Sequence, residues 1–505
     1  MAQQLQSINL VAPAFKGLNS EDSPIAQDPS FADIADNAVI DKRGRIAARK
    51  GVKVLTTNKT ALGSDYIHKI HYFYDDAGNE VVFSAGNNKI MTGTTTLTDV
   101  TPGSYTITDN NWKIVNFNDK AYFFQRGYDP LVYDNATGLR TFTVANGGAT
   151  AATLKCHEAI GAYGRLWVVD NATDTQTIYW SDLLNGGDFT GGSSGSIDVS
   201  KAWPDGYDEV RALAAHNNAL IVFGKHSLLV YGGADSPANM ALVDTVAGVG
   251  CICRNSVQHI GTDVLFMSPS GLRSLGRTIQ EKSLPLSDLS LNVKSDIINL
   301  INNRSVPTAS VYSPENSFYL IAFPGQSTIY CFDLKSKLEN NTYKATRWVS
   351  VPHKSFEVST DGTVYIGTAD GIGTYSGYLD NTSSYRFRYY SPGLTFGDPS
   401  KVKLLKKVRP TIVGAAGASC FMKWAYDFNT TYSTYEFTIG NQSPAYFGIA
   451  QFNINEYTGG ELTTRNPVNT TGNGSIITIG LEAEIDGDAL SLQEINVLAL
   501  IGKTV

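Results

Sequence analysis

The chain has 505 residues, of which 11% are aromatic and 17% are charged, and it contains 47 glycines. Many aromatic residues with few charges exclude an intrinsically disordered chain and favour β-strands joined by tight turns. The formal net charge of −7 excludes a protein that binds nucleic acid or an anionic membrane through its overall charge. The sequence does not begin with basic residues followed by an apolar stretch, so no signal peptide is expected.

The first 65 residues show no sustained hydrophobic period. The stretch FKGLNSEDSPIAQDP contains Pro24 and Pro29, which interrupt regular structure. Residues 1–65 are therefore predicted to form an extended N-terminal arm.

A repeat of β-hairpins is predicted between residues 66 and 380. Its clearest copy, SVQHIGTDVLFMSPSGLRSLGR at 256–277, predicts three strands joined by two tight turns. Seven copies have a strongly apolar second strand, and its successive starting points lie 41 to 54 residues apart, at Val81, Tyr122, Leu166, Leu220, Val264, Phe318 and Val364. This spacing fits the four-stranded blades of a β-propeller, so six to eight blades are expected. A stack of β-sandwiches is the alternative, because it also gives short strands with frequent turns.

Two further segments depart from the repeat. Residues 289–303, LSLNVKSDIINLINN, carry apolar residues at near-helical spacing and predict a helix packed between the fifth and sixth units. Residues 381–505 alternate like strands of a separate domain and predict a C-terminal β-sandwich. The predicted fold is thus all-β: an extended N-terminal arm, a propeller and a sandwich-like domain.

Catalytic and metal-binding patterns are weak. Gly191–Gly195 formally matches the G-x-S-x-G elbow of hydrolases, but it lies in a Gly/Ser-rich loop where no helix is predicted to follow. STDGTVYIG at 359–367 resembles the Asp-box turn of sialidases and is more simply a hairpin turn. The seven histidines and five cysteines form no metal-ligand pattern, and the cysteines are expected to be free and buried. No catalytic residue, metal site or cofactor is predicted.

Two basic runs flank the repeat, KRGRIAARK and KVKLLKKVR. Their cations are Lys42, Arg43, Arg45, Arg49 and Lys50 in the first run and Lys401, Lys403, Lys406, Lys407 and Arg409 in the second. A solvated strand face is the slightly favoured interpretation of each run. Contact with an acidic protein partner or with DNA is the functional alternative.

Several segments resemble one family in consistent order. KGLNSEDSP and NAVIDKRGRIAARKGV (37–52) resemble the N-terminal part of the tail nozzle proteins of short-tailed bacteriophages, also known as tail tubular protein B or packaged-DNA stabilisation proteins. IGAYGRLWVVDNATDTQTIYWSDLLNGGDF resembles their central region, as do LIVFGKHSLLVYGG, GVGCICRNSVQHIG and LFMSPSGLRSL. The resemblance spans most of residues 15–380, whereas the C-terminal part is less diagnostic.

The resemblance implies a structural virion protein rather than an enzyme. Such nozzles form a homohexameric ring below the portal and the tail adaptor, and double-stranded DNA leaves through the ring without sequence-specific contacts. They carry tail fibres or tailspikes, and a needle or plug protein or loops close the lumen. The expected location is the short tail of the virion, assembled in the host cytoplasm, with no small-molecule substrate. The chain is shorter than the large tubular B proteins, so extra platform insertions are not expected.

Two alternative functions stay open. A virion-associated propeller could bind or hydrolyse glycans, since glycosidases place paired carboxylates around the scissile bond. A bacterial propeller scaffold is the other alternative, which neighbouring genes other than portal, terminase and capsid genes would favour.

Overall fold

The structure, a computed structural model, describes residues 4–142, 154–281, 288–302, 309–323, 327–440 and 463–504. Small antiparallel sheets arranged in a ring make up its larger part, and strands from both ends of the chain make up the rest. The N-terminal strands are β1 (Gln4–Leu10), β2 (Gly17–Leu18), β3 (Phe31–Ala32), β4 (Ile34–Asp36), β5 (Ala38–Ile40), β6 (Ile46–Ala48) and β7 (Val52–Val54).

The first five blades follow one another along the chain. Blade one contains β8 (Lys69–Tyr74), β9 (Glu80–Gly86), β10 (Lys89–Thr92) and β11 (Thr98–Asp99), and blade two contains β12 (Lys113–Phe117), β13 (Lys120–Phe124), β14 (Leu131–Asp134) and β15 (Gly138–Thr141). Blade three contains β16 (Cys156–Ala162), β17 (Arg165–Asn171), β18 (Thr177–Trp180) and β19 (Gly195–Asp198), and blade four contains β20 (Val210–His216), β21 (Ala219–Gly224), β22 (Ser227–Gly232) and β23 (Ala241–Ala247). Blade five has three strands, β24 (Gln258–Ile260), β25 (Asp263–Ser268) and β26 (Gly271–Ser274), followed by helix α1 (Leu275–Glu281).

The ring continues after helix α2 (Lys294–Asn302). Position six holds β27 (Ala309–Ser313), β28 (Phe318–Ala322), β29 (Thr328–Lys337) and β30 (Tyr343–Val349), and blade seven holds β31 (Ser355–Val358), β32 (Val364–Thr368), β33 (Gly371–Tyr375) and the N-terminal strand β7. Six blades are sheets of their own, whereas the four strands at position six belong to a larger sheet. The first strands of successive blades are neighbours around the ring, and β31 contacts β8 to close it.

The predicted propeller is therefore confirmed. All seven predicted starting points lie in the second strand of a blade: β9, β13, β17, β21, β25, β28 and β32. The stretch at 256–277 forms the three strands of blade five, and α1 follows where the other blades have a fourth strand.

Packing between blades, rather than within them, buries their apolar faces. Phe73 and Phe83 of blade one share a core with Phe123 of blade two, and all three are fully buried. Separate clusters of the same kind join blades two and three, three and four, four and five, six and seven, and seven and one. Burying a side chain of this size contributes about 1.5–3 kcal/mol, so the closed ring stabilises sheets that are too small to fold alone.

The helix predicted at 289–303 is confirmed as a 3-10 turn at Leu291–Val293 that continues into α2. Ile297 is fully buried, as expected of a packed helix. Leu291 is 41% exposed, because it lies in the 3-10 turn and outside the apolar stripe of α2. Asn303 lies outside the described residues.

The C-terminal strands extend two large sheets. They are β34 (Tyr385–Tyr390), β35 (Lys401–Gly414), β36 (Ser419–Tyr426), β37 (Ser433–Thr438), β38 (Thr463–Arg465), β39 (Val468–Asn469), β40 (Asn473–Gly474), β41 (Ile477–Ile485) and β42 (Leu490–Thr504). One sheet has nine strands in the order β27-β28-β29-β30-β4-β34-β41-β36-β37. The other has eight, with the central path β38-β35-β42-β6-β5, and β1 also pairs with β42.

A separate C-terminal sandwich is not confirmed. Strands from the N-terminal segment enter both large sheets, and blade position six is part of the nine-stranded one. A single hydrophobic core joins residues of these sheets with the helix α2 and with blade five. The extended N-terminal segment therefore connects the propeller to the C-terminal strands instead of lying beside them.

Candidate functional site: a charged cavity on the ring axis

The axis of the ring is lined by the first strand of each blade and by the loops that lead into these strands. These strands carry charged and polar residues at the axis, including Lys69, His71, Lys113 and Glu357. A cavity of about 660 Å³ lies among blades two to five, and a second of about 340 Å³ lies on the side of blades six, seven and one.

The larger cavity is lined by charges of both signs. Its cations are Arg126, Arg211 and Arg254, and its acids are Asp109, Asp170 and Glu209. Arg126 forms an ion pair with the buried Asp170, and Arg211 forms one with the half-exposed Glu209. Two of the three arginines thus have a carboxylate partner from this chain.

Arg254 spans the axis. It precedes β24 of blade five, and its Nη2 donates to the carbonyl oxygen and to Oδ1 of Asn111, both at 2.9 Å. Asn111 precedes β12 of blade two, on the opposite side of the ring. Both residues line the two cavities, so this contact separates them. The side chain is only 4% exposed.

The first strands of the blades also hold a buried carboxylate. Glu158 on β16 is 1% exposed, and its Oε1 lies 2.7 Å from Nζ of Lys113. Across the smaller cavity, Glu357 lies 3.7 Å from Nζ of Lys69 and 3.8 Å from Nδ1 of His71. Acids and bases from different blades therefore meet at the axis.

Burial and the nearby cations lower the pKa of two histidines at the axis. Burial, followed by the charges of Arg254, Arg126, Lys113 and Arg211, lowers the pKa of His157 to about 2. Burial lowers the pKa of His71 as well, and the attraction of Glu357 only partly opposes this. Both imidazoles are therefore neutral at physiological pH.

The patterns examined for catalysis take structural roles. Ser193 lies in a turn, accepts from Nη2 of Arg165 at 2.8 Å and donates to Oδ1 of Asp182 at 2.9 Å, and a strand rather than a helix follows. Asp361 accepts from the amide of Thr363 at 3.0 Å in the hairpin turn between β31 and β32, which confirms the simpler interpretation. None of the five cysteines forms a disulfide; four are buried as expected, whereas Cys253 is half-buried. The described residues contain no group of three His, Cys, Asp or Glu that could hold a metal ion. Across the described ranges, no helix has the length and apolarity needed to cross a membrane.

The two basic runs enter the same eight-stranded sheet. Ile46 and Ala47 of the first run pair with Leu492 and Ser491 of β42, whereas the second run forms the start of β35, next to the far end of the same strand. The sheet therefore joins the runs but keeps them apart along β42.

Three of the ten cations are buried and form hydrogen bonds within the chain. Arg49 is fully buried and forms two bonds to the Asp380 carboxylate, at 2.8 and 2.6 Å. Arg45 is 8% exposed and its Nε donates to Asp41 at 2.6 Å. Lys403 is fully buried and its Nζ donates to backbone carbonyl oxygens, one of them Ser475 at 2.7 Å.

The other seven cations are exposed or half-exposed: Lys42, Arg43, Lys50, Lys401, Lys406, Lys407 and Arg409. Of these, Lys401 forms an ion pair with Asp398 at 3.0 Å. Contact of these side chains with a partner or with DNA stays a prediction.

The group of charged residues and histidines at the ring axis was not predicted from the sequence. Its members are far apart along the chain, and the histidines among them form no metal-ligand pattern in the sequence. One signal was available, because several repeats carry a charged residue near the start of the first strand, such as Lys69, Lys113, Glu158 and Glu357. Aligning the repeats on their first strands would have placed these residues together at the axis.

No protein-family model matches this chain, and no curated protein matches it. Among solved structures, the extracellular domain of a protein described as a one-component system of B. thetaiotaomicron is 12% identical with a TM-score of 0.42, over 81% of this chain and 59% of that one. The chain thus spans about three fifths of that structure. The WD40 domain of Neurospora crassa Pan2 is 8% identical with a TM-score of 0.40, over 65% of this chain and 94% of that one.

A third similar structure is the β-propeller domain of Myceliophteria thermophila Cps50 (Swd1). It is 9% identical with a TM-score of 0.40, over 65% of this chain and 98% of that one. Likeness at this level concerns the fold alone and carries no argument about function. The strand pairing and the ring closure define the chain as a β-propeller protein.

Proposed function

We propose that this chain is the nozzle of a short bacteriophage tail, a structural protein without enzymatic turnover. In this proposal six copies form a ring below the portal and the adaptor, continue the DNA channel, help to retain packaged DNA and carry fibres or spikes. The ordered resemblance of residues 15–380 to tail nozzle proteins supports it.

One structural observation carries the proposal further. Blade position six continues through β4 into the C-terminal strands as one nine-stranded sheet, so continuous strand pairing makes the junction rigid. A wall that holds pressurised DNA needs such rigidity, because forces then pass through hydrogen-bonded strands and a shared core.

The DNA path in this proposal lies between the copies. The axis of each propeller is crossed by the contact between Arg254 and Asn111, which leaves no open passage for a duplex. The net charge of −7 suits a channel wall that does not hold phosphates tightly. The exposed cations of the two basic runs are then proposed to face the acidic surface of the adaptor.

Assembly state and location test this proposal. Native mass spectrometry and negative-stain microscopy of the purified chain should give sixfold rings, and microscopy of phage particles should place the chain on the tail axis. Absence from the tail, or a lumen lined by both basic runs, would contradict it. The double variant Lys406→Glu/Lys407→Glu should weaken adaptor binding at least tenfold, whereas Lys53→Glu, an exposed lysine of blade seven, should not.

A second candidate, a glycan-binding or glycan-hydrolysing propeller, is favoured by the acids on the ring axis. Asp170 and Glu209 both line the larger cavity, as a glycosidase with two carboxylates would require. Release of reducing sugars from host polysaccharide, lost in Asp170→Asn and Glu209→Gln, would establish this candidate. Intact polysaccharide after prolonged incubation would exclude hydrolysis.

A further inference from the structure

The smaller cavity on the ring axis carries more positive than negative charge. Its lining includes the cations Lys69, Lys113 and Arg254, and Glu357 is the one carboxylate among the described residues that line it. Glu158, which lies outside this lining, adds a second negative charge where it contacts Lys113. Three cations thus share two carboxylates in a site largely withdrawn from water. A positive charge without a counter-charge is costly in such a place.

Two of these cations are accessible from the cavity. The side chains of Lys69 and Lys113 are each 28% exposed, whereas Arg254 is 4% exposed and supplies charge rather than contact. Glu357 lies 3.7 Å from Nζ of Lys69, which is beyond hydrogen-bond distance. In the part of the chain that the structure describes, Glu158 is the one carboxylate within 4.0 Å of Nζ of Lys113. Because an ammonium group has three N–H donors, each lysine keeps donors for the oxygens of a ligand.

The two lysines line the same space from neighbouring blades. Lys69 begins β8 of blade one and Lys113 begins β12 of blade two, and these two strands are adjacent in the ring. Asn116 of β12 fixes their spacing, because its Nδ2 donates to the carbonyl oxygen of Tyr72 at 2.8 Å and its Oδ1 lies 2.7 Å from Nε2 of His71. Burial lowers the pKa of Lys69, and repulsion by Lys113 lowers it further. The two ammonium groups are therefore close enough to act on one charge between them.

We propose that the smaller axial cavity binds a small oxyanion between the ammonium groups of Lys69 and Lys113. Each lysine donates to a different oxygen of the ligand, and the charge of Arg254 adds attraction from the wall without contact. Phosphate and carboxylate groups both offer such oxygens to an ammonium group. The bound anion supplies the counter-charge that the chain lacks here. The site does not depend on the nozzle proposal, and it does not use the acids of the larger cavity.

Isothermal titration calorimetry at low ionic strength tests the site with three probes: inorganic phosphate, acetate and acetamide. Acetamide has nearly the shape of acetate but carries no charge. At least one of the two anions should bind about tenfold more tightly than acetamide or better, and its binding should weaken as salt is added. The stronger of the two anions identifies the preferred group as a phosphate or a carboxylate.

Three variants and a matched control locate the binding. Lys69→Met and Lys113→Met each remove one ammonium group while keeping a long side chain, and each should weaken binding of the anion about tenfold. Glu357→Gln removes a carboxylate that competes with the anion for Lys69, so it should strengthen binding about threefold, a gain that a purely structural role does not predict. Lys89→Met disrupts an ion pair with Asp99 on blade one, away from the axial cavities, and should bind as the wild type does.

Circular dichroism of each variant checks its folding, because Lys113→Met leaves the buried Glu158 without its cation. Equal affinity for the anions and acetamide, undiminished binding by folded Lys69→Met, or no gain in Glu357→Gln would overturn the proposal. If a lysine variant fails to fold, the result from Glu357→Gln decides. Sixfold rings and tail location are measured independently, so failure of this site leaves the nozzle proposal intact.

Discussion

At the scale of single residues, Arg49 anchors the N-terminal segment where it crosses the end of the propeller. Its guanidinium group pairs with Asp380, its Nε donates to Oδ1 of Asn37 at 3.0 Å, and it stacks on the ring of Tyr385 at 4.1 Å. Such a planar, bidentate arrangement is specific to arginine. A cation that looked like part of a surface run therefore acts inside the chain.

Replacing the partner of this arginine should be strongly destabilising. Asp380→Asn leaves the buried Arg49 charge without a carboxylate, which costs about 3 kcal/mol of unfolding free energy. Asp370→Asn is the matched control, because it disrupts an ion pair with Lys59 that is largely exposed and should cost less than about 1 kcal/mol. Urea denaturation of both variants measures the difference, and equal losses would contradict the assigned role.

The pKa of His157, lowered to about 2, predicts a pH-dependent contribution to stability. The unfolded state gains a proton on this histidine below pH of about 6.5, whereas the folded state does not until near pH 2. The folded protein therefore loses stability as pH falls through this window.

Between pH 7.5 and 5.0 the wild type should lose about 2 kcal/mol more unfolding free energy than His157→Gln. Denaturant titrations at the two pH values measure this difference. Nuclear magnetic resonance of the imidazole should show no titration of His157 between pH 5 and 8. A titration midpoint near pH 6.5 for His157 would show that the folded state binds this proton as readily as the unfolded state, which would contradict the prediction.

At the scale of elements, strand β7 closes the ring from the opposite end of the chain. Val52, Lys53 and Val54 pair with residues 373–375 of β33, so an N-terminal strand completes blade seven. Val52 is 3% exposed and belongs to the core between blades six and seven, whereas the neighbouring Lys53 is exposed. Side chains alternate between the two faces of this short strand, so Val52, and not Lys53, stabilises the closed ring.

Adjacent substitutions in β7 should therefore differ sharply. Val52→Asp places a charge in the core between blades and should cost at least about 3 kcal/mol of unfolding free energy. Lys53→Asp, one residue away, should cost less than about 0.5 kcal/mol. Denaturation midpoints and the rate of proteolysis at blade seven report the two effects, and similar values would mean that β7 is not needed for closure.

At the scale of the whole molecule, the two ends of the chain make the propeller and the C-terminal sheets interdependent. β4 lies between β30 of the propeller and β34 of the C-terminal part, and one core runs through both. Neither part can bury this shared apolar surface alone, so both should unfold together.

Fluorine-labelled tryptophans can test this cooperativity. Trp167 reports on blade three and Trp424 on strand β36, and the two are buried in different clusters. Their ¹⁹F resonances should disappear at the same denaturant concentration. Two separated midpoints would show that the parts are independent domains.

Much of the fold could be predicted because its signals are local. Apolar second strands at a regular spacing and turns between them follow from neighbouring residues, and the helix at 289–303 follows from its own periodicity. The order of the blades and the position of α2 were therefore determined by the sequence alone. The sequence likewise excluded a disordered chain.

Only the tertiary structure determined the features that depend on contacts between segments distant in the sequence. The pairing of β7 with β33, the entry of β4 into the nine-stranded sheet and the burial of Arg49 all involve residues more than 300 positions apart. The axial cavity has the same origin, since Arg254 meets Asn111 only when the ring closes. A linear pattern records which residues are charged, whereas closure of the ring determines which of those charges lose their water and lack a partner.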